Sequence, residues 1–197
     1  MTEYRLRTPV GEEAVARLRA GDIIFVSGTV LTARDEAHAE LLRHGGPGGM
    51  DLRGLALFHC GPVMKREGGE WRILAAGPTT SFRMESLEPA FLDRFPVKIV
   101  IGKGGMGPAT LEALRRNNAV YVSFTGGAGA LAAKGLGAVR GVFYLEELGM
   151  PEAVWIFEAD GLGPLVVAMD THGNSLYADV DAASSENLAR VLREKGL

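Results

Sequence analysis

The 197-residue sequence has little cysteine, no concentration of charge of one sign and no long apolar run, and each shortage removes a class of function. Cys60 is the only cysteine, so an intrachain disulfide is impossible, and this chain alone cannot supply the several thiolates of a zinc ribbon or an iron–sulfur cluster. Any such metal belongs to a partner. The 21 basic and 24 acidic residues leave a formal net charge of −3, without the electrostatic footprint that DNA, RNA or an anionic membrane requires. Nucleic-acid and membrane partners are therefore not expected. No apolar stretch approaches the roughly 20 residues that cross a bilayer, and the N-terminal MTEYRLRTPV lacks the apolar centre of a signal peptide. The expected address is the cytoplasm.

Glycine, by contrast, is abundant. The 27 glycines cluster at the ends of strand-like runs and do not form a linker; there they permit positive φ and close backbone approach, a common arrangement around bound anions. A chain of this length holds one substantial core, so residues 1–197 are expected to form a single domain.

Periodicity divides the chain into alternating units. TPVGEEAVARLRAGD reads as a short helix, DIIFVSGTVLTA as a strand and RDEAHAELLRHG as a helix; LALFHCG and WRILAAG read as strands joined by a KREGG turn. MESLEPAFLDRF reads as helical, and VKIVIGKGGMGPATLEALRRNN as strand, glycine loop and helix. AVYVSFTGG and GAVRGVFYL give strands around the small-residue segment AGALAAKGLG, and the chain ends on AVWIFEAD, PLVVAMDTHGNSLY and the amphipathic helix AASSENLARVLREKG. This mixed order predicts an α/β domain with a mixed sheet or two packed sheets, and fits a purely doubly wound sheet poorly. Its loops of interest follow strands, where open α/β sheets place their ligands.

Gly102, Gly104 and Gly107 spell G-x-G-x-x-G between a strand and a helix, the context of a dinucleotide fingerprint. The next strand ends at Thr125 and Gly126, without the ribose-binding acid expected roughly 20 residues on, so NAD is not favoured. Arg34, Arg83 and Lys103 each lie in or beside a turn after a strand. Singly each could be a solvated surface charge; together they suit a small dicarboxylate, whose two ends need planar guanidinium forks and an ammonium point charge. Thr79 and Thr80, in GPTTSFRM, either form a turn or helix cap or supply a hydroxyl base, a role that requires neighbouring cations such as Arg83. His38 lies four residues after Arg34 and either orients a substrate or bonds locally. DTHGN reads as a turn with Gly173 at positive φ, and Cys60 as a core residue.

TARDEAH, GPTTSFRM, IGKGGMGPAT, FTGGAGALAA and LEELGMPEAVW, in that order, resemble the β subunit, or C-terminal half, of class I iron–sulfur fumarate hydratases and of L(+)-tartrate dehydratases, from about Thr8 to Tyr177. The resemblance implies a swivelling β/β/α domain with mixed sheet and flanking helices that closes over a cluster-bearing α subunit. It implies a hydro-lyase interconverting fumarate and (S)-malate, with L(+)-tartrate dehydration as the alternative and a non-catalytic anion-binding module as the reading from another class. On the matching positions it assigns Thr79 as base and Arg34, Arg83 and Lys103 as carboxylate ligands, with Thr80 and His38 as further substrate-binding candidates. It implies a [4Fe–4S] cluster carried by the partner on three cysteines, no metal bound by this chain, and a heterotetramer of two α and two β chains. Two departures stand out: Ala33 stands where the family often has glycine, and GKGGMG differs from family forms that carry a charged residue in the loop besides Lys103.

Overall fold

The computed structural model describes residues 1–195 and contains nine strands and seven α-helices within them. They are β1 (Glu3–Arg7), α1 (Glu12–Ala16), β2 (Ile23–Thr32), α2 (Asp35–His44), β3 (Ala56–Phe58), β4 (Val63–Glu67), β5 (Glu70–Ala75), α3 (Glu88–Arg94), β6 (Ile99–Gly102), α4 (Pro108–Arg116), β7 (Val120–Ser123), α5 (Gly129–Leu136), β8 (Ala138–Phe143), α6 (Leu145–Leu148), β9 (Val154–Met169) and α7 (Leu176–Glu194). The main sheet runs β1-β2-β3-β6-β7-β9-β8, parallel from β1 to β7 and antiparallel at β9 and β8. It is the mixed α/β architecture with flanking helices. β9 also pairs with β2, from Ile23↔Val166 to Leu31↔Ile156, so β2, β3, β6, β7 and β9 form a closed circuit, with β1 and β8 left as edge strands.

The central strands are apolar without interruption because both of their faces are covered. Alternate residues supply two cores: Phe58, Ile99, Ile101, Val120, Val122, Trp155 and Phe157 enter one, while Leu57, Val100, Tyr121, Val154 and Ile156 enter the other. Val15 of α1 and Ala132 and Leu136 of α5 join the first core. Leu41 of α2, Phe91 of α3 and Leu114 of α4 join the second. Each of these five helices thus owes its place to apolar residues matched to one sheet face.

Several sequence expectations require correction. The KREGG hairpin joins β4 to β5, whereas LALFHC forms the separate parallel strand β3; Pro62, which has no amide hydrogen, stands between them. The segments AVWIFEAD and PLVVAMD are one strand, β9, whose register shifts near Val26 absorb the Gly161–Pro164 interruption. AGALAAKGLG contains helix α5, and EYRLR is an edge strand with only alternate residues partly covered. The C-terminal helix begins at Leu176, earlier than its apolar pattern suggests, and none of its residues is buried; Gly196, its expected end, lies outside the described residues.

Candidate functional site

The C-terminal ends of β2, β3, β6 and β7, neighbours in that order in the sheet, lead into the chemically distinctive loops. Arg34 follows β2 and is the N-cap of α2. Its side chain passes over Gly61, where an added Cβ would stand 2.9 Å from Arg34 Nη1. Its Nε lies 3.2 Å from Glu152 Oε1 in an ion pair without hydrogen-bond alignment, while Glu152 Oε2 accepts the Glu36 amide at 3.2 Å. Glu152, in the turn before β9, therefore anchors both the helix start and the arginine. Sequence reasoning did not single it out, although it sits inside the LEELGMPEAVW motif.

The Thr79–Ser81 segment lies across the ends of two strands. The Thr79 amide donates to the His59 carbonyl at 2.7 Å, the Ser81 amide donates to the Lys103 carbonyl at 2.9 Å, and isolated bridges join Pro78 to Cys60 and Thr80 to Lys103. Gly102 is required here, because a Cβ would collide with Ser81 Oγ. Thr79 is half-buried, Thr80 exposed, and Lys103 half-buried alongside Gly126. Among the described residues, Thr79 Oγ1 has no hydrogen-bond partner and Lys103 no ion-pair partner. Arg83 follows on the one-turn 3-10 segment Ser81–Met84. Its Nε donates to Asp35 Oδ1 at 3.2 Å and its Nη2 lies 2.8 Å from Asp35 Oδ2, so the residue next to Arg34 holds Arg83 on the same face.

Arg34, Thr79, Thr80, Arg83 and Lys103 thus converge at adjacent strand ends. His38 does not reach this face. It is fully buried below it, with Nδ1 at 2.8 Å from the Arg34 carbonyl and Nε2 at 3.1 Å from Glu88 Oε2; the helical spacing that aligned it with Arg34 points it into the core, so its local-bonding alternative describes it. His59, Glu88, Ser81 and Tyr121 complete a buried polar network. Sequence reasoning missed all four because they are distant along the chain. The three nearest atoms of His38, His59 and Glu88 lie within 4.8 Å of one another, but both imidazole Nε2 atoms face the same carboxylate oxygen at hydrogen-bond distance.

Cys60 is fully buried and its thiol is pushed up to about 12 by burial, which outweighs the opposing charge of Arg34; it is an inert core residue. The G-x-G-x-x-G loop is also accounted for. The N-terminus of α4, which would bind a pyrophosphate in a dinucleotide fold, is occupied by Glu85: Oε2 accepts the Gly107 amide and the Thr110 hydroxyl at 2.7 Å each, and Oε1 accepts the Thr110 amide at 3.2 Å. Gly107 leaves room for that carboxylate, since a Cβ would approach it to 2.5 Å. A cleft of about 420 Å³ borders this loop at Phe82, Met106, Leu111 and Tyr177, and another of about 440 Å³ lies at Ser123, Val166 and Val180. Neither is lined by Arg34, Thr79, Arg83 or Lys103, which sit on an open face.

Fold and site together define an α/β domain that carries Arg34, Thr79, Thr80, Arg83 and Lys103 at adjacent strand ends. The chain belongs to the family described as fumarase C-terminus, which residues 1–180 match. It is 41% identical over 189 residues to the L(+)-tartrate dehydratase subunit beta of Escherichia coli (strain K12), covering 96% of this chain and 94% of that one. A putative L(+)-tartrate dehydratase subunit beta of Methanocaldococcus jannaschii is 40% identical over 181 residues, covering 90% and 93%. A putative fumarate hydratase class I of Geobacillus stearothermophilus is 42% identical over 186 residues, 94% of this chain but 35% of that longer one.

Proposed function

We propose that this chain is the β-type half of a hydro-lyase that interconverts fumarate and (S)-malate in a site completed by an α-type chain. The observation that carries this reading is the gathering of Thr79, Arg34, Arg83 and Lys103 at neighbouring strand ends on one open face. Arg34 and Arg83 offer planar forks and Lys103 a point charge, which together suit the two ends of a small dicarboxylate. Thr79 Oγ1 takes the proton from the carbon beside a carboxylate, and the cations around it stabilise both the deprotonated hydroxyl and the enolate-like charge on the substrate. Thr80, exposed beside Lys103, donates a hydrogen bond to the bound acid.

A [4Fe–4S] cluster does not fit the residues of this chain, whose one thiol is buried and protonated. We assign it to the α-type partner, where it supplies a Lewis acid for the departing hydroxyl. Residues 1–197 act as one domain in an assembly of two α and two β chains, with the cytoplasm as its compartment and no nucleic-acid or membrane partner. No helix among the described residues is long and apolar enough to cross a membrane.

L(+)-tartrate is the second reading, favoured because relatives matched over nearly their whole length bear the tartrate dehydratase name. Its extra hydroxyl changes affinity by only about 1–3 kcal/mol in a pocket that merely tolerates it. The chain is to be produced anaerobically with an α-type partner and assayed for fumarate hydration and tartrate dehydration. Turnover of fumarate by the complex, and none by the β chain alone, is expected. Dicarboxylate binding without turnover of either acid would instead make the chain a non-catalytic binding module.

A further inference from the structure

Below the open face lies a polar group that the proposed chemistry does not use. His38 from α2, His59 from the end of β3 and Glu88 from the first turn of α3 are all fully buried. His38 Nε2 and His59 Nε2 each lie 3.1 Å from the same atom, Glu88 Oε2. The remaining ring nitrogens point outward: His38 Nδ1 to the Arg34 carbonyl at 2.8 Å, and His59 Nδ1 to Ser81 Oγ at 2.9 Å. Ser81 Oγ in turn accepts the Tyr121 hydroxyl at 3.0 Å.

Counting donors places the protons. A carboxylate accepts only, so both Nε2 atoms facing it carry hydrogen. The Arg34 carbonyl also accepts only, which places a second hydrogen on His38 Nδ1 and makes that ring an imidazolium. His59 needs no second proton, because the Ser81 hydroxyl can donate to its Nδ1. One positive ring and one carboxylate then form a neutral pair, the condition under which buried charges are tolerated. The competing arrangement moves one proton from His38 Nε2 to Glu88 Oε2. Imidazole is ordinarily the stronger base, and the His59 N–H further favours an ionised carboxylate. Among the described residues Glu88 Oε1 has no hydrogen-bond partner, so the carboxylate depends on these two N–H groups.

The network's outer contacts end on the loops of the proposed site. His38 holds the Arg34 carbonyl, the His59 carbonyl holds the Thr79 amide, His59 Nδ1 holds the Ser81 hydroxyl, and the Ser81 amide is fixed to the Lys103 carbonyl. The neighbouring charged and titratable groups are Asp35 on α2, which faces both rings, and Tyr121 on β7; Phe91 on α3 covers His38 with an apolar ring. We propose that His38, Glu88 and His59 are positioning residues, a buried imidazolium–carboxylate–imidazole cradle that sets the loops bearing Arg34, Thr79 and Lys103 in one register. Its kinetic consequence rests on the hydro-lyase reading above; its protonation state does not. The directions of titration agree. Burial lowers His38, but the Glu88 hydrogen bond and charge, together with the Arg34 carbonyl and Asp35, raise it further than burial lowers it, whereas at His59 burial, aided by the charge of His38, prevails.

Two-bond ¹⁵N–¹H spectra of the full chain, with histidines assigned through single His→Gln variants, test the cradle directly. Across pH 6.5–7.5, from the ordinary imidazole value of roughly 6.5 upward, His38 is expected with both nitrogens protonated and His59 as the Nε2–H tautomer. A neutral His38, a charged His59, or a stoichiometric metal retained by the wild type and lost from His59→Asn would each overturn it. In the active complex, Glu88→Gln should reduce kcat by at least about tenfold and return His38 to neutral. If that variant does not fold, Ser81→Ala, which cuts the His59 link to the loop together with the Tyr121 contact and leaves the histidine–carboxylate core in place, takes its place with the same kinetic expectation. A kcat within about twofold of wild type would remove the positioning role. A wild-type complex that turns over no diacid would defeat the functional reading alone, leaving the spectra to decide the cradle.

Discussion

Thr79, Lys103 and the two arginines differ in what already holds them, and so in what their replacement should do. Among the described residues Thr79 Oγ1 and Lys103 have no side-chain partner, whereas Arg34 is paired with Glu152 and Arg83 with Asp35. Asp35 holds Arg83 as a planar fork, which an ammonium cannot reproduce. Arg83→Lys in the active complex should raise KM for the diacid by about tenfold and lower kcat as well, since the lost fork both binds the carboxylate and faces the charge that develops on it. An unchanged KM would make Arg83 a surface charge. Cys60 gives a prediction without a partner chain: with its thiol pushed up to about 12 and no exposed surface, it should resist thiol reagents at pH 8 until the chain is unfolded. Rapid labelling of the folded protein would contradict its place in the core. Arginine, lysine and threonine were legible in the sequence because their residue types and post-strand positions announce a chemistry. His59, Glu88, Ser81 and Tyr121 were not, because only the packing of α2, α3, β3 and β7 makes them neighbours.

At the scale of elements, strand-to-loop handovers carried most of the legible information. Apolar runs bounded by glycine located the central strands, and the ends of the parallel strands β2 and β6 located the loops that carry Arg34 and Lys103. Closure of the sheet was not legible, because it depends on β9 pairing with β2 more than a hundred residues away in sequence. Nor was the role of Glu85, which turns a dinucleotide-like loop into a self-capped helix. Removing this cap with Glu85→Ala leaves the Gly107 and Thr110 amides without their acceptor and should cost about 0.5–2 kcal/mol of stability. The urea midpoint measures this directly. A midpoint equal to wild type would mean that water replaces the carboxylate at no cost and that the loop is open to an external anion.

For the whole molecule, the buried cradle should shape stability against pH. Burial raises Glu88, but the positive charge carried by the coupled histidine pair and the hydrogen bonds from both rings outweigh it and bring the carboxyl down to about 2 from 4.5. A lowered folded value means stability present above the unfolded pKa and lost as pH falls through the folded one, a contribution on the order of 3 kcal/mol that fades between about pH 5 and pH 2. His59, also lowered, contributes above its unfolded value and loses that contribution on acidification; His38, raised, contributes below its unfolded value and loses it as pH rises. Wild type should therefore lose urea resistance steeply below pH 5, and Glu88→Gln should lose it less steeply. Parallel curves would show that the carboxylate is not tied to the fold in this way.

The account centres on one open face whose loop-borne groups act as half of a shared site. The most direct measurement is the steady-state kinetics of the anaerobic complex carrying Thr79→Val, which removes one hydroxyl and preserves the shape of the side chain. The account predicts a kcat lower by about a hundredfold or more with KM within about threefold of wild type. A kcat near that of the wild type would contradict it.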